Sequence, residues 1–181
     1  MTCALPFNDP MRGAEFSIDR GHRYRLWCHW ERTKYVAFLM LNPSVADESA
    51  LDPTLRRCMG FTREWSFGGF VVVNLFSVVS PDPRMILAYP DAEGDEKRRS
   101  TLGRMVTNIS VLADECRLAD IVIAGWGAFP AARERAREVT AMLKGLGVKL
   151  HSLGTTKEGH PRHPLYLPAT ARPIPYGGSD G

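Results

Sequence analysis

Tyr35-Val36-Ala37-Phe38-Leu39-Met40-Leu41-Asn42-Pro43-Ser44 is an apolar run that ends abruptly in an amide, a proline and a hydroxyl. A short run with no polar alternation reads as a strand buried on both faces. The pattern recurs three times. Phe70-Val71-Val72-Val73 empties into Asn74-Leu75-Phe76, Asp120-Ile121-Val122-Ile123-Ala124 into Gly125-Trp126-Gly127, and Val148-Lys149-Leu150-His151-Ser152-Leu153 into Gly159-His160-Pro161-Arg162-His163-Pro164-Leu165. If the runs are parallel strands, their carboxyl ends share one sheet edge, where open α/β folds place a ligand crevice.

The segments between the runs carry helical spacing. Asp52-Pro53 supplies an N-cap carboxylate and a first-turn proline, Leu55, Cys58, Met59, Thr62 and Trp65 follow, and Gly68-Gly69 is the expected stop. A longer helix is predicted over about 95–118, with Leu102, Met105, Val106, Ile109, Leu112 and Ala113 on its apolar stripe. A third covers 130–146 and ends at Gly147. The Pro-rich stretch 80–90 is expected to be loop with room for one helical turn. Residues 14–30 alternate as a hairpin about Asp19-Arg20-Gly21, with Tyr24, Leu26, Cys28 and Trp30 on one face, and a short turn at Glu31-Arg32-Thr33-Lys34 leads into the first buried strand. The order predicts one α/β domain over 1–167: a three-layer α/β/α sandwich on a mainly parallel central sheet, with an N-terminal β-hairpin. Residues 168–181, rich in Pro, Gly and Ala, are expected as a mobile tail.

Composition narrows the class. The chain has 181 residues, 44% hydrophobic and 24% charged, as in ordinary globular domains. No apolar stretch approaches the ~20 residues of a spanning helix, and no basic-then-apolar leader opens the chain, so a cytoplasmic protein with no membrane partner, and a monomer, is expected. Cys3, Cys28, Cys58 and Cys116 form no C-x-x-C pair and read as reduced, mostly buried thiols. A net charge of +3 permits a nucleic-acid partner without requiring one. Arg56-Arg57 with Arg63 forms one basic group, and Lys97-Arg98-Arg99 a second that Asp91, Glu93, Asp95 and Glu96 offset. Lys157, His160, Arg162 and His163 form a third, the best placed for phosphate.

Taken one at a time, each signature has an ordinary explanation. Asn42-Pro43-Ser44 is a turn sequence, Asn74 fits a strand end bonding its own backbone, and Trp126 fits a core aromatic between helix-entry glycines. His160 and His163 have a metal-like spacing, but the surrounding prolines preclude a helix and no carboxylate or thiol is close in sequence. A Cys58–His163 nucleophile pair has no local motif behind it. Asn74 carries the most information, because a buried amide needs partners for donor and acceptor alike, and a pyrimidine edge supplies both.

Taken in order, the signatures resemble the uracil-DNA glycosylase superfamily over 35–167. The matching stretches are Leu41-Asn42-Pro43-Ser44, Val71-Val72-Val73-Asn74, Ile121-Val122-Ile123-Ala124-Gly125-Trp126-Gly127 and His163-Pro164-Leu165. Together with Asp52-Pro53-Thr54-Leu55-Arg56-Arg57-Cys58, Asn74-Leu75-Phe76 and His163-Pro164-Leu165-Tyr166-Leu167, they look closer still to a bacterial and phage family known as domain of unknown function 1643, a name that implies no activity. The superfamily resemblance implies a DNA glycosylase, a hydrolase that flips a pyrimidine out of DNA for repair or base modification and uses neither metal nor organic cofactor. Asn42 would hold the attacking water, Asn74 read the flipped base, and His163 stabilise charge on the departing base oxygen. Pro43, Ser44, Phe76 and Trp126 would line the base pocket, Leu165 or Tyr166 fill the gap left in the duplex, and Arg162, Lys157, His160, Arg56 and Arg57 meet the nucleic-acid backbone. Asn42 stands where efficient uracil enzymes carry Asp, and an amide supplies no general base, a contribution of ~10²–10⁴-fold. Hence a non-catalytic nucleic-acid or nucleotide binder, and a phage-type base-modification transferase, stay open beside the hydrolase. Ser44 and Val45 replace a bulky aromatic that screens the pyrimidine 5-position in uracil-specific enzymes, so a 5-substituted pyrimidine is expected to be preferred over uracil.

Overall fold

The computed structural model describes residues 11–31, 34–44 and 52–177. Cys3, the turn residues 32–33, the polar loop from Val45 to Leu51 and positions 178–181 lie outside them. The described chain is a mixed α/β fold: a seven-stranded sheet in the order β1-β2-β4-β3-β7-β8-β9, a two-stranded ladder β5-β6, and three α-helices.

The expected hairpin forms as β1 (Arg12–Phe16) and β2 (Arg23–His29), and β2 also pairs antiparallel with β4 (Gly69–Asn74), so the hairpin extends the main sheet. The four apolar runs become β3 (Tyr35–Met40), β4, β7 (Ile121–Ala124) and β8 (Leu150–Ser152), all mutually parallel. The sheet is therefore mixed, parallel at its centre and antiparallel toward both ends. The stretch past Leu167 returns to it: β9 (Ile174–Pro175) pairs antiparallel with β8, and Tyr176 N–H donates to Leu150 C=O at 2.9 Å.

Alternation along the central strands builds two cores. Val36, Phe38, Met40, Phe70 and Val72 pack with Leu55, Cys58 and Phe61 of α1 (Pro53–Glu64). Ala37, Leu39, Val71, Val73 and Val122 face the other way, onto Leu112 and Cys116 of α2 (Asn108–Leu118) and Val139 and Leu143 of α3 (Arg133–Gly145). Cys28, Cys58 and Cys116 are buried.

Three local expectations need correction. The helix over 95–118 begins only at Asn108, where Thr107 and Ser110 form a reciprocal capping box. Before it, β5 (Arg98–Arg99) and β6 (Met105–Val106) pair across a turn with Gly103 at φ 80°, and Leu102 and Met105 are exposed. This segment covers β1: Ser17 bridges Ser100, and Phe16 N–H donates to the Thr101 hydroxyl at 3.1 Å. In the second correction, α1 stops before Gly68-Gly69, since Trp65 caps it and Ser66 turns the chain at φ 61°. In the third, α3 starts after the 3-10 turn Pro130–Ala132. The Pro-rich stretch holds its one turn, Pro83–Leu87.

The strand order also fixes the location of the cleft. From β3 the chain crosses to β4 through α1, then returns past β3 to β7 through α2, and goes on to β8 through α3. Right-handed crossovers running in opposite directions place their helices on opposite faces. The loop leaving β3 therefore departs toward one face and those leaving β4 and β7 toward the other, opening a crevice beyond the carboxyl end of β3.

Candidate active site at the carboxyl edge

β3 delivers Asn42-Pro43-Ser44 to this crevice. The Asn42 amide nitrogen donates to Ser80 C=O at 3.0 Å and Pro43 C=O at 3.2 Å, while Ser80 N–H donates to Pro43 C=O at 3.0 Å. Two carbonyls occupy both amide protons, which orients Oδ1 as the accepting atom. Such an oxygen can hold a water by one of its protons but cannot remove that proton. Ser44 donates its hydroxyl to Asp52 Oδ2 at 3.0 Å, and Asp52 Oδ1 caps α1 through Leu55 N–H at 2.7 Å. With its one proton committed, Ser44 Oγ offers lone pairs to any ligand.

Asn74 ends β4 in register with Met40 and is 1% exposed. By alternation it shares the face of Phe70 and Val72, the face on which α1 begins. Its backbone C=O accepts from the Asn108 side chain at 3.0 Å, but its own Nδ2 has no hydrogen-bond partner among the described residues. A buried donor left in this state costs about 1–3 kcal/mol.

His163 caps the 3-10 turn Pro164–Tyr166, its Nδ1 accepting Leu165 N–H at 3.3 Å. The neutral ring then carries its proton on Nε2. Burial pushes the His163 pKa below the ordinary histidine value, against the opposing pull of the Asp52 carboxylate. Gly125 seats this turn on the sheet: a Cβ there would stand 2.9 Å from Pro164 Cδ and 3.1 Å from Met40 Sδ. Tyr166 stands 5.7 Å from the His163 ring and is 75% exposed, while Leu165 beside it is half-buried.

Asn42, Pro43 and Ser44 thus follow β3 and Asn74 ends β4 at one sheet edge, and Ser44 and His163 both lie by Asp52 at the start of α1. Two further residues join them. Asp52, whose sequence signal was only that of a cap, acts electrostatically on both His163 and Arg23. Arg23, which in a hairpin pattern reads as a solvent-facing charge, is 4% exposed, and burial draws its pKa down to about 10. It reaches this edge because β2 runs antiparallel to β4, and its N–H donates to Ser77 C=O at 2.8 Å beyond the end of β4.

Other expected site residues lie elsewhere. Phe76 and Trp126 are buried in the core on the α2 and α3 side, Trp126 edge-on to Tyr176 at 5.6 Å. His160 opens onto a separate cavity beside α3. Arg57 turns inward, donating to Leu167 C=O and lying 5.3 Å over the Phe61 ring, whereas Arg56, Lys157 and Arg162 are exposed. Among the described residues, no group of three His, Cys, Asp or Glu is placed to hold a metal ion, and no helix is long and apolar enough to cross a membrane.

No curated protein and no solved structure matches the chain. Residues 23–165 match a family described as a protein of unknown function, DUF1643, and the chain belongs to that family.

Proposed function

We propose that this DUF1643 protein is a three-layer α/β/α enzyme of the uracil-DNA glycosylase type that hydrolyses the N-glycosidic bond of a pyrimidine flipped from DNA. The observation that carries the reading is the buried Asn74 amide, whose Nδ2 lacks a partner among the described residues at the carboxyl end of a central strand. A pyrimidine carbonyl supplies the missing acceptor, and binding then removes a cost already present in the folded protein. Asn42 Oδ1 orients a water, and the His163 Nε2–H donates to the base oxygen on which negative charge grows as the bond breaks. Neither residue removes a proton from the water: the C1′–N bond breaks first, the water oxygen adds to the cationic sugar carbon, and its proton passes to the departed base anion, so the reaction depends on leaving-group stabilisation and turnover is expected to be slow.

Ser44 contributes specificity. Its small side chain leaves space at the pyrimidine 5-position, and its lone pairs favour a substituent that donates, such as hydroxymethyl. The test is a screen of oligonucleotides carrying uracil, mismatched thymine or 5-hydroxymethyluracil, with abasic sites read by alkaline cleavage. The expected order places 5-hydroxymethyluracil above uracil, and Ser44→Tyr is expected to reverse or abolish it. Absence of abasic sites on every substrate, with base-dependent binding retained, would make the protein a non-catalytic binder and overturn the hydrolase reading.

A further inference from the structure

A cavity of about 690 Å³ lies along α3, on the opposite side of the sheet from the crevice. Ligand sites commonly fall in the range of about 300–1,000 Å³. Arg133, Ala136, Arg137, Thr140 and Ala141 keep helical spacing along its wall, so exposed guanidiniums alternate with small side chains on one flank. Aromatic residues also line it: Phe129 and Tyr176 are half-buried, and Trp126 backs Tyr176. His160 closes the end nearest the carboxyl edge, and exposed Glu158 stands near it and Arg133. Cations and flat aromatic rings lining one groove match a phosphodiester strand with exposed bases.

We propose that this groove is a track for single-stranded nucleic acid, its phosphates against Arg133 and Arg137 and a base against Phe129 and Tyr176. The groove and the crevice share a single loop. Gly127 N–H donates to Pro161 C=O at 3.0 Å, which holds the loop against the end of β7, with His160 on the groove side and His163 on the crevice side. A strand lying in the groove therefore passes over this loop toward Asn42 and Asn74. The inference deepens the base-releasing reading and rests on it for the path of the strand.

Fluorescence anisotropy with a labelled oligothymidylate of about twelve nucleotides, titrated across salt concentrations, tests the proposal. Arg133→Ala and Arg137→Ala are each expected to flatten the slope of log K against log salt by about 0.7, and the double variant by about 1.4. An unchanged slope in the double variant, with circular dichroism showing the fold intact, overturns the groove assignment. Equal flattening on a duplex, or displacement by thymidine monophosphate at the same concentration as by unlabelled oligonucleotide, overturns the strand assignment. Asn74→Leu separates this inference from the reading it rests on, because that variant is expected to lose base release while keeping the full salt slope.

Discussion

Two amides hold opposite kinds of information. Asn74 keeps a buried donor without a partner among the described residues, so replacing it with Leu, close in volume and without polar atoms, is expected to stabilise the fold by about 1–3 kcal/mol. For a chain of this size each kcal/mol moves Tm by roughly 2–4 °C. Differential scanning calorimetry should show Tm rising while base release and base-dependent binding vanish; a fall in Tm would mean that the amide is satisfied in the free protein. Asn42 is the reverse case, because its two protons already serve Ser80 and Pro43 carbonyls. Asn42→Asp would set a carboxylate against both. The variant is expected to lose about 1–3 kcal/mol at pH 7 and to recover part of it below pH ~4, where the ordinary Asp carboxyl protonates; chemical denaturation at the two pH values checks this. An Asp introduced to serve as a base is therefore expected to give less rate than its ~10²–10⁴-fold potential. The roles of Arg23 and Asp52 were not legible at this scale, since burial of a strand-end arginine depends on which strand pairs with the hairpin, and a capping aspartate looks the same with or without a second partner.

Elements were legible where one periodicity prevailed. The central strands and α1 follow directly from their apolar spacing, and Asp52-Pro53 caps as the residue types require. The segment 95–107 misleads because its apolar residues keep helical spacing, while the turn at Gly103 and the contacts with Ser17 and Phe16 draw it into a ladder over β1. Tertiary contact overrides local periodicity there, and exposed Leu102 and Met105 are the remnant of the pattern. The turn carrying His163 is held by packing that no motif announces. Gly125→Ala would place a methyl against the rigid Pro164 ring and the Met40 sulfur. Overpacking of this kind typically costs about 1–3 kcal/mol, and displacing His163 is expected to lower base release by at least tenfold, roughly 1.4 kcal/mol in the barrier. Unaltered kinetics in a correctly folded variant would show that the turn accommodates the methyl without moving the histidine.

Across the whole molecule, His22, His29 and His163 all have pKa values lowered, in each case chiefly by burial. As pH falls below the ordinary histidine value of about 6.5, the unfolded chain takes up protons that the folded chain refuses, so stability is lost with acidification. Tm is expected to fall progressively below pH ~6.5, ahead of the carboxylates, and His163→Gln should make that fall shallower; a flat profile between pH ~6.5 and ~5 would contradict the burial of these rings. The parallel centre of the sheet was legible at this scale because alternating strands and helices require crossovers, whereas the strand order that sets where the crossovers diverge comes from pairing between distant segments. The opposite-face cavity and the return of the chain to β8 were not legible, since the residues concerned look like helix charges and a Pro-rich end. That return has a consequence for self-association. Tyr176 donates inward to Leu150, so Pro175, the alternate residue of β9, turns outward and offers no N–H where an incoming strand would seek one. The proline acts as a stop against edge-to-edge polymerisation: a chain cut after Leu167 would bare β8 and is expected to elute in size-exclusion chromatography as higher-order species, whereas the intact chain would not.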